Sequence, residues 1–276
     1  MNRLTREILN GGPVLISVLS GKGGVGKSVL AFNFAERMAS RGNRVLLVDG
    51  DLTGGSLPVL ANVDADSGLE RYLAHSSPLV DAVVNVRDHL DLLGRSTIEP
   101  LPDMARLDQQ ADFVRRLRIE AAGYERIVID QSSGVTDFAT IVAGASDINL
   151  LVLVPELTSI SDCYGLFKHL RNVCPDVDCH LLLNRTESDE ESDDVFSRFA
   201  AMTEQFLGAS PTLAGALPEE PLVKRAVALQ RALVEVDPEV SILQRLSLVD
   251  ERLFGTVAPD TISRINNLTA LADIRE

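Results

Sequence analysis

The sequence predicts an α/β protein built on a doubly wound, mostly parallel sheet with helices on both faces. Three observations carry this expectation. Short runs of Val, Ile and Leu recur along the 276 residues without polar alternation, as strands buried on both faces do. Longer stretches with apolar residues at helical spacing separate those runs. A glycine-rich octapeptide, residues 21–28, lies where the first apolar run passes into the first helical pattern.

Taken in order, Val14–Leu19 reads as a strand and 28–41 as a helix closed by Gly42. Residues 45–48 form the next strand. Leu90–Leu93 forms a short one, followed by a helix within 102–122. Residues 126–130 (RIVID), 148–154, 177–183 and 212–216 complete the strands. A helix is expected over 159–173, where Ile160, Cys163, Leu166, Phe167 and Leu170 share an inner face. Ser159 with Asp162 makes a capping box at its start. Another helix runs through 194–207, and further helices follow residue 216. No internal repeat, Pro-rich linker or low-complexity block interrupts the pattern. One domain is therefore expected over 1–276, with a core of about 14–255 and a helical tail at 256–276.

The bulk composition narrows the class. With 45% hydrophobic residues the chain can build one large core. Its longest apolar stretch, 148–154, is interrupted by Asn149 and falls far short of the ~20 residues a membrane span needs. The N-terminus, MNRLTREILNGGP, is polar and lacks an apolar signal core, so the chain is expected in the cytoplasm. Three cysteines, Cys163, Cys174 and Cys179, are an odd number and argue against a disulfide framework. No Cys-x-x-Cys or His pair completes a metal site with them, so core or loop positions are expected. The formal net charge of −14 argues against non-specific binding to nucleic acid and weakens attraction to anionic lipid. The densest charge run, 187–194 (ESDEESDD), reads as a solvated loop feeding a helix start.

Residues 21–28 read GKGGVGKS and fit G-x-x-x-x-G-K-[ST] between a strand and a helix, the context the motif requires. Gly21, Gly23, Gly24 and Gly26 can aim successive N–H groups, with that of Val25, into one concavity. The following helix adds its unpaired N-terminal donors and its positive dipole end. Lys27 is placed to reach the β- and γ-phosphates of a nucleoside triphosphate, and the Ser28 hydroxyl to coordinate Mg²⁺. Asp49 and Asp51 close the second strand in VLLVDGDLTGG, where an open α/β sheet builds its site. Asp130 ends the strand RIVID, where a carboxylate can hold a magnesium-bound water.

Lys22 is an extra that an ordinary phosphate loop does not need. In KGGVGKS it marks the deviant form of the motif, and the chain resembles the MinD, ParA and nitrogenase iron-protein group. The resemblance covers roughly residues 14–245. The segments PELTSISDCYGLFKHL, LLLNRTES and GALPEEPLVKRAVALQRALVEVDPEVS look most like the FlhG/FleN/YlxH flagellar number and placement branch. It implies an ATP/ADP cofactor with Mg²⁺, slow partner-stimulated hydrolysis and a homodimer formed with ATP. There Lys22 would reach the partner subunit's phosphates. Asp51 would position the attacking water and Asp49 would support Mg²⁺ or its water. Gly134 falls in the second switch, where relatives carry a small residue after the strand's Asp; here it is Gln131, the clearest departure. Asn184 would bind the adenine edge, beside Arg185, with Pro218 and Val223 on the base's other side. The plain alternatives are a solvated loop lysine at Lys22, turn-forming carboxylates at Asp49 and Asp51, and a turn residue at Asn184.

For the branch as a whole, the resemblance implies a protein activator or cargo and peripheral contact at the inner face of the cell membrane through residues 256–276. That tail carries an apolar stripe, Ile262, Ile265, Leu268, Leu271 and Ile274, but only Arg264 and Arg275 as basic residues. A membrane-surface helix is normally rich in Lys and Arg, so packing on the protein's own core is favoured. The N-terminal segment NRLTREIL matches the branch's Asp-Gln-Ala helix only loosely. The competing functions are a DNA-riding ParA-type partition ATPase, which the charge opposes, and a weakly hydrolysing nucleotide-sensing scaffold, which Gln131 makes conceivable.

Overall fold

A computed structural model of the chain describes residues 12–52, 54–96 and 107–255. The expectations for the tail at 256–276, for the N-terminal segment at 2–9 and for a helix start at 102–106 lie outside those residues. Eight strands form one sheet: β1 (Val14–Leu19), β2 (Val45–Gly50), β3 (Val84–Arg87), β4 (Leu90–Leu93), β5 (Arg126–Gln131), β6 (Ile148–Leu153), β7 (Cys179–Thr186) and β8 (Thr212–Pro218). Their order is β3-β4-β2-β5-β1-β6-β7-β8, with every pair parallel except β3 with β4.

Every residue of β1, β2, β5 and β6 is buried, which is why their sequences are continuous Val, Ile and Leu. One face is covered by α1 (Lys27–Ser40) and α11 (Ser241–Phe254), with the short α9 (Pro221–Leu229) and α10 (Leu233–Val236) beside them. Phe34, Met38, Leu243 and Leu246 pack there on Ile16, Leu47 and Val128. The other face carries α3 (Gly68–Leu73), α4 (Leu79–Ala82), α5 (Leu107–Glu120) and α6 (Asp137–Ala145), with Tyr72, Phe113 and Phe138 on Leu46 and Ile127. Beyond them on the same face, α7 (Leu157–Val173) and α8 (Asp189–Leu207) set Cys163, Phe167 and Phe199 against Leu151 and Leu181. Burying one such side chain contributes about 1.5–3 kcal/mol, so these helix faces fix the layers.

The structure departs from the sequence reading at several elements. It adds α2 (Leu57–Ala61), α3, α4 and α6, and the antiparallel edge strand β3. The capping box at Ser159 and Asp162 is absent. The helix starts a turn earlier, with Glu156 at its N-cap, and Ser159 Oγ instead accepts from the backbone N–H of Val154 at 3.1 Å. The acidic run is not a loop: Ser188 caps α8 by accepting from Glu191 N–H, and residues 189–194 form its opening turns, where carboxylates suit the dipole. Cys163 and Cys179 are buried, and Cys174 sits at the C-cap of α7.

The crossover through α1 leads from β1 to β2 on one side, and that through α6 leads from β5 past β1 to β6 on the other. The connections diverge at the carboxyl ends of β1 and β5, the place where such sheets open a crevice.

Away from that crevice, Glu36 of α1 is buried with Arg87 Nε 2.8 Å from its Oε2. Burial raises this carboxyl from 4.5 to about 7, against the opposing pull of Arg87 and with a further push from Glu235. A raised carboxyl holds a proton in the folded state that the unfolded chain has released. Its contribution is complete below the unfolded value and is lost as pH rises through the folded one. Urea denaturation of the parent chain should therefore show stability falling between pH 4.5 and about 7, and Glu36→Gln should flatten that fall. Identical slopes would mean that Arg87 keeps the carboxylate ionised.

Candidate functional site

The loop between β1 and α1 is shaped by close approaches. Gly26 is the N-cap of α1 with φ 90° and ψ 13°, and a Cβ there would lie 2.8 Å from Asn184 Nδ2. A Cβ on Gly21 would lie 2.3 Å from the Asp162 carbonyl carbon, so the loop runs against the backbone of α7. No acidic residue stands in the first turn of α1, and its positive end faces the loop without a counter-charge from its own helix.

Lys27, 6% exposed, donates from Nζ to Asp130 Oδ1 in a buried ion pair. Asp130 Oδ2 is buried without a partner, and the Ser28 hydroxyl lies close enough to the same carboxylate to help stabilise its charge. Asp49 stands opposite Asp130 in the register of β2 and β5 and is fully buried. Its Oδ2 accepts from Leu57 N–H at 3.3 Å and its Oδ1 from Asp51 N–H at 3.4 Å. Burial, then the neighbouring Asp130, pushes Asp49 up to about 7. Burial likewise raises Asp130, with the Lys27 ammonium pulling it back. The half-buried Asp51 accepts from Gly54 N–H at 3.3 Å, so its carboxylate is turned toward its own loop.

The segment after β5 is tied to the end of β1. Gly134 N–H donates to Ser20 O at 2.8 Å, and the Ser20 and Ser133 hydroxyls lie 3.4 Å apart. Gln131 is fully buried opposite Gly50, and neither Nε2 nor Oε1 has a partner.

An apolar cleft opens beside the loop, enclosing about 520 Å³ that is partly open to solvent. Gly26, Asn184, Arg185, Pro218 and Val223 line it, so the structure gathers these sequence-predicted residues in one place. Asn184 Nδ2 donates to Val25 O at 2.8 Å and thereby locks the cleft wall to the loop. Arg185, with φ 58°, lies 3.6 Å from Glu219, which also pairs with Lys224 at 3.3 Å. The sequence reading missed Asn33, Leu233 and Ile242 as lining residues. Asn33 was detectable from its place two turns into α1 on the face of Gly26 and Val29, whereas Leu233 and Ile242 arrive by tertiary packing.

Lys22 lies apart from Lys27's partners. Its Nζ donates to Glu156 Oε2 and to Thr158 Oγ1, both at 2.9 Å, at the start of α7. The site therefore brings together Lys27, Ser28, Asp49 and Asp130 under the loop, and Asn184, Arg185 and Pro218 beside it. Lys22 and Asp51 stand at its margin, Lys22 on the start of α7 and Asp51 on its own loop.

Residues 13–88 match the ParA family described as NUBPL iron-transfer P-loop NTPase. The antiactivator FleN of Pseudomonas aeruginosa is 32% identical over 234 residues, which cover 81% of this chain and 80% of FleN. The flagellum site-determining protein YlxH of Helicobacter pylori is 24% identical over 233 residues, covering 83% and 77%. The septum site-determining protein MinD of Pyrococcus horikoshii, solved with Mg-ADP, shares the fold, with a TM-score of 0.71 at 23% identity over 88% of this chain and 96% of that one. With the phosphate loop, the buried lysine and carboxylate at the sheet's switch point, and the long match to FleN, the chain belongs to the MinD/ParA family of P-loop nucleoside triphosphatases.

Proposed function

We propose that the chain is an ATP-dependent dimerising switch that hydrolyses ATP to ADP and phosphate and so positions or counts a cellular structure, of the flagellum or division-site kind. The observation that carries this reading is the buried Lys27 ammonium under a glycine loop, next to an apolar cleft closed by Asn184. The loop's N–H groups and the α1 terminus suit the β-phosphate, and Lys27 suits oxygens shared by the β- and γ-phosphates. With Asn184 Nδ2 held by Val25 O, the amide oxygen can accept from the amine of adenine. The similarity to FleN and YlxH supports the positioning role. A protein activator or cargo in the cytoplasm is part of this reading; for residues 256–276, with only Arg264 and Arg275 as basic residues, packing on the protein's own core is favoured over membrane contact. Among the described residues no helix is long and apolar enough to cross a membrane.

Asp49, Asp130 and Ser28 present oxygen donors, and Asp130 Oδ2 is buried without a partner, so these residues fit Mg²⁺. Phosphate oxygens and water would complete the cation's shell. When bound, it would neutralise charge on the transferring phosphoryl group. Asp51 would turn from Gly54 N–H to orient the water whose oxygen bonds the γ-phosphorus while the bridging oxygen leaves with ADP. Lys22 would leave Glu156 and Thr158 to meet the phosphates held by a second copy. Its exposed ion pair contributes at most about 1 kcal/mol, so release costs little.

Lys27→Gln should weaken ATP binding roughly 10–100-fold by calorimetry. Lys22→Ala should bind ATP with affinity near the parent's, yet lose the ATP-dependent dimer in light scattering and on the order of 10³ in turnover. A Lys22→Ala protein that dimerises and turns over normally would falsify the clamp in trans. Asp51→Ala should accumulate as an ATP-bound dimer on size-exclusion chromatography, and a purely monomeric elution would count against its role. Gln131→Met should raise unfolding stability by about 1–2 kcal/mol, because it removes two unpaired buried polar atoms. Gln131→Thr should shift turnover, and equal rates would leave Gln131 with no part in hydrolysis.

A further inference from the structure

Among the described residues β8 ends the sheet, and no described strand lies beside one row of its backbone groups. Helices from opposite faces flank that edge. Leu213 and Ala216 pack toward the α8 side, and Ala214 and Leu217 toward the α11 side. Between the helices runs a slot of about 590 Å³, partly open to solvent, with residues 213–216 as its floor. Ala214, Gly215 and Ala216 keep that floor low, so another backbone can approach. The walls differ in charge. Asp189 and Asp193 stand on α8; Arg245 and Arg252 stand on α11, with Leu248, 57% exposed, between them.

Two contacts now occupy the slot's ends. Arg245 Nη1 meets Asp189 Oδ1 at 2.6 Å, and Arg252 Nη1 reaches the edge carbonyls of Leu213 and Ala214 at 3.5 and 3.4 Å. The first is an exposed ion pair and the second is at the limit of hydrogen-bond length, so both yield readily to better partners.

We propose that this slot takes an extended segment of a partner protein as a ninth strand, with basic residues at alternate positions facing α8 and acidic residues between them facing α11. Strand side chains alternate between faces with period two, and here the two faces meet walls of opposite charge. Backbone pairing with β8 supplies affinity, and the charge alternation supplies selectivity. A strand pairs about 4.8 Å from its neighbour, whereas a helix is about 10 Å across and would collide with the flanking helices. An acidic side chain would draw Arg252 away from the edge carbonyls and release them to accept from the incoming N–H groups. A second copy of β8 does not fit this chemistry, because TLAGALP carries no charge. β8 ends at Pro218 in the wall of the apolar cleft, so the partner's strand and the cleft share one element.

The test is fluorescence anisotropy with the full chain and a labelled, end-blocked heptapeptide of sequence KEKVKEK, against the same composition in block order, KKKVEEK. The alternating peptide should bind and the block peptide should bind at least about tenfold more weakly. Arg252→Glu leaves Arg245 as the one positive charge on the α11 wall and Asp193→Lys leaves Asp189 as the one negative charge on the α8 wall, so each change cancels the net charge of its wall. Each alone should cost the alternating peptide about tenfold, and reversing all four charges (D189K, D193K, R245E and R252E) should restore binding, because reversed walls meet the same alternation one register over. Arg252 and Asp193 are exposed, so circular dichroism of the single variants should match the parent. Absence of binding, equal binding of the two peptides, or indifference to the single reversals would overturn the proposal. So would a dimer of the nucleotide-free chain that Arg252→Glu dissolves, which would give the edge to a second copy.

Discussion

A lysine ammonium and a carboxylate meet where water is nearly excluded, and much of the surrounding structure answers to the cost of placing them there. Removing both charges from water costs several kcal/mol per ion, and their attraction recovers this only if the remaining polar atoms find partners. Around Lys27 and Asp130 that condition is incompletely met. Asp130 Oδ2 has no partner, and Asp49 adds a second buried carboxyl across the strand pair. The protein holds Asp49 up near 7 instead of separating the two groups. Such crowding favours a cation between the carboxyls and an anion above the lysine. The order of the strands makes the arrangement unavoidable: Asp49 and Asp130 are register partners at the ends of neighbouring parallel strands, so their side chains leave the sheet on the same face.

The same economy appears in the links between segments. Asn184 binds the carbonyl of Val25, so the cleft wall is tied directly to the phosphate loop. Gly134 binds the carbonyl of Ser20, so the segment that follows Asp130 starts from the base of that same loop. Gly21 leaves no room for a side chain between the loop and α7, which carries Glu156 just before its first turn. A displacement of the loop by bound phosphate would therefore be felt at three places: the cleft, the segment after β5 and the start of α7. Each contact is a single hydrogen bond or a backbone approach, and each joins residues more than 100 positions apart.

How much of this could be read in the sequence follows from which forces were local. The central strands were legible because burial on both faces forces continuous Val, Ile and Leu. The phosphate loop was legible because its glycines and Lys27 are consecutive. β3 was not, because VNVR is half-exposed on an edge and carries little hydrophobic signal. α6 was missed although Thr136 caps it through Ala139 N–H, since DFATIVAGA is too short and too uniformly apolar to separate helix from strand. The helix at 157–173 was placed correctly along most of its length but entered late. Ser159 resembles a cap residue locally, whereas its hydroxyl is drawn back to the end of β6 by the fold. Partners of Lys22 were not legible at all, because Glu156 and Thr158 lie 134 and 136 residues away. Gln131 stood out as a departure, but its burial without partners depends on Gly50 in the next strand.

The two lysines of the loop differ in the one property that decides what each can do. Lys27 is 6% exposed and its partner is buried, so moving it would leave an uncompensated charge inside the protein, at a cost of several kcal/mol. Lys22 is 37% exposed and its acidic partner 60%, so its pairing is worth no more than about 1 kcal/mol and water can replace it. Lys27 is therefore a fixed element of the site, whereas Lys22 can exchange its partners at little cost, as the proposed role requires. A triphosphate in the same loop cannot easily supply that pull, because its charge is already met by Lys27 and the loop amides. A second triphosphate, presented from outside by another copy, can. Under the proposed function, the difference in burial between two residues five positions apart would divide the work of the loop between binding within the subunit and recognition across an interface.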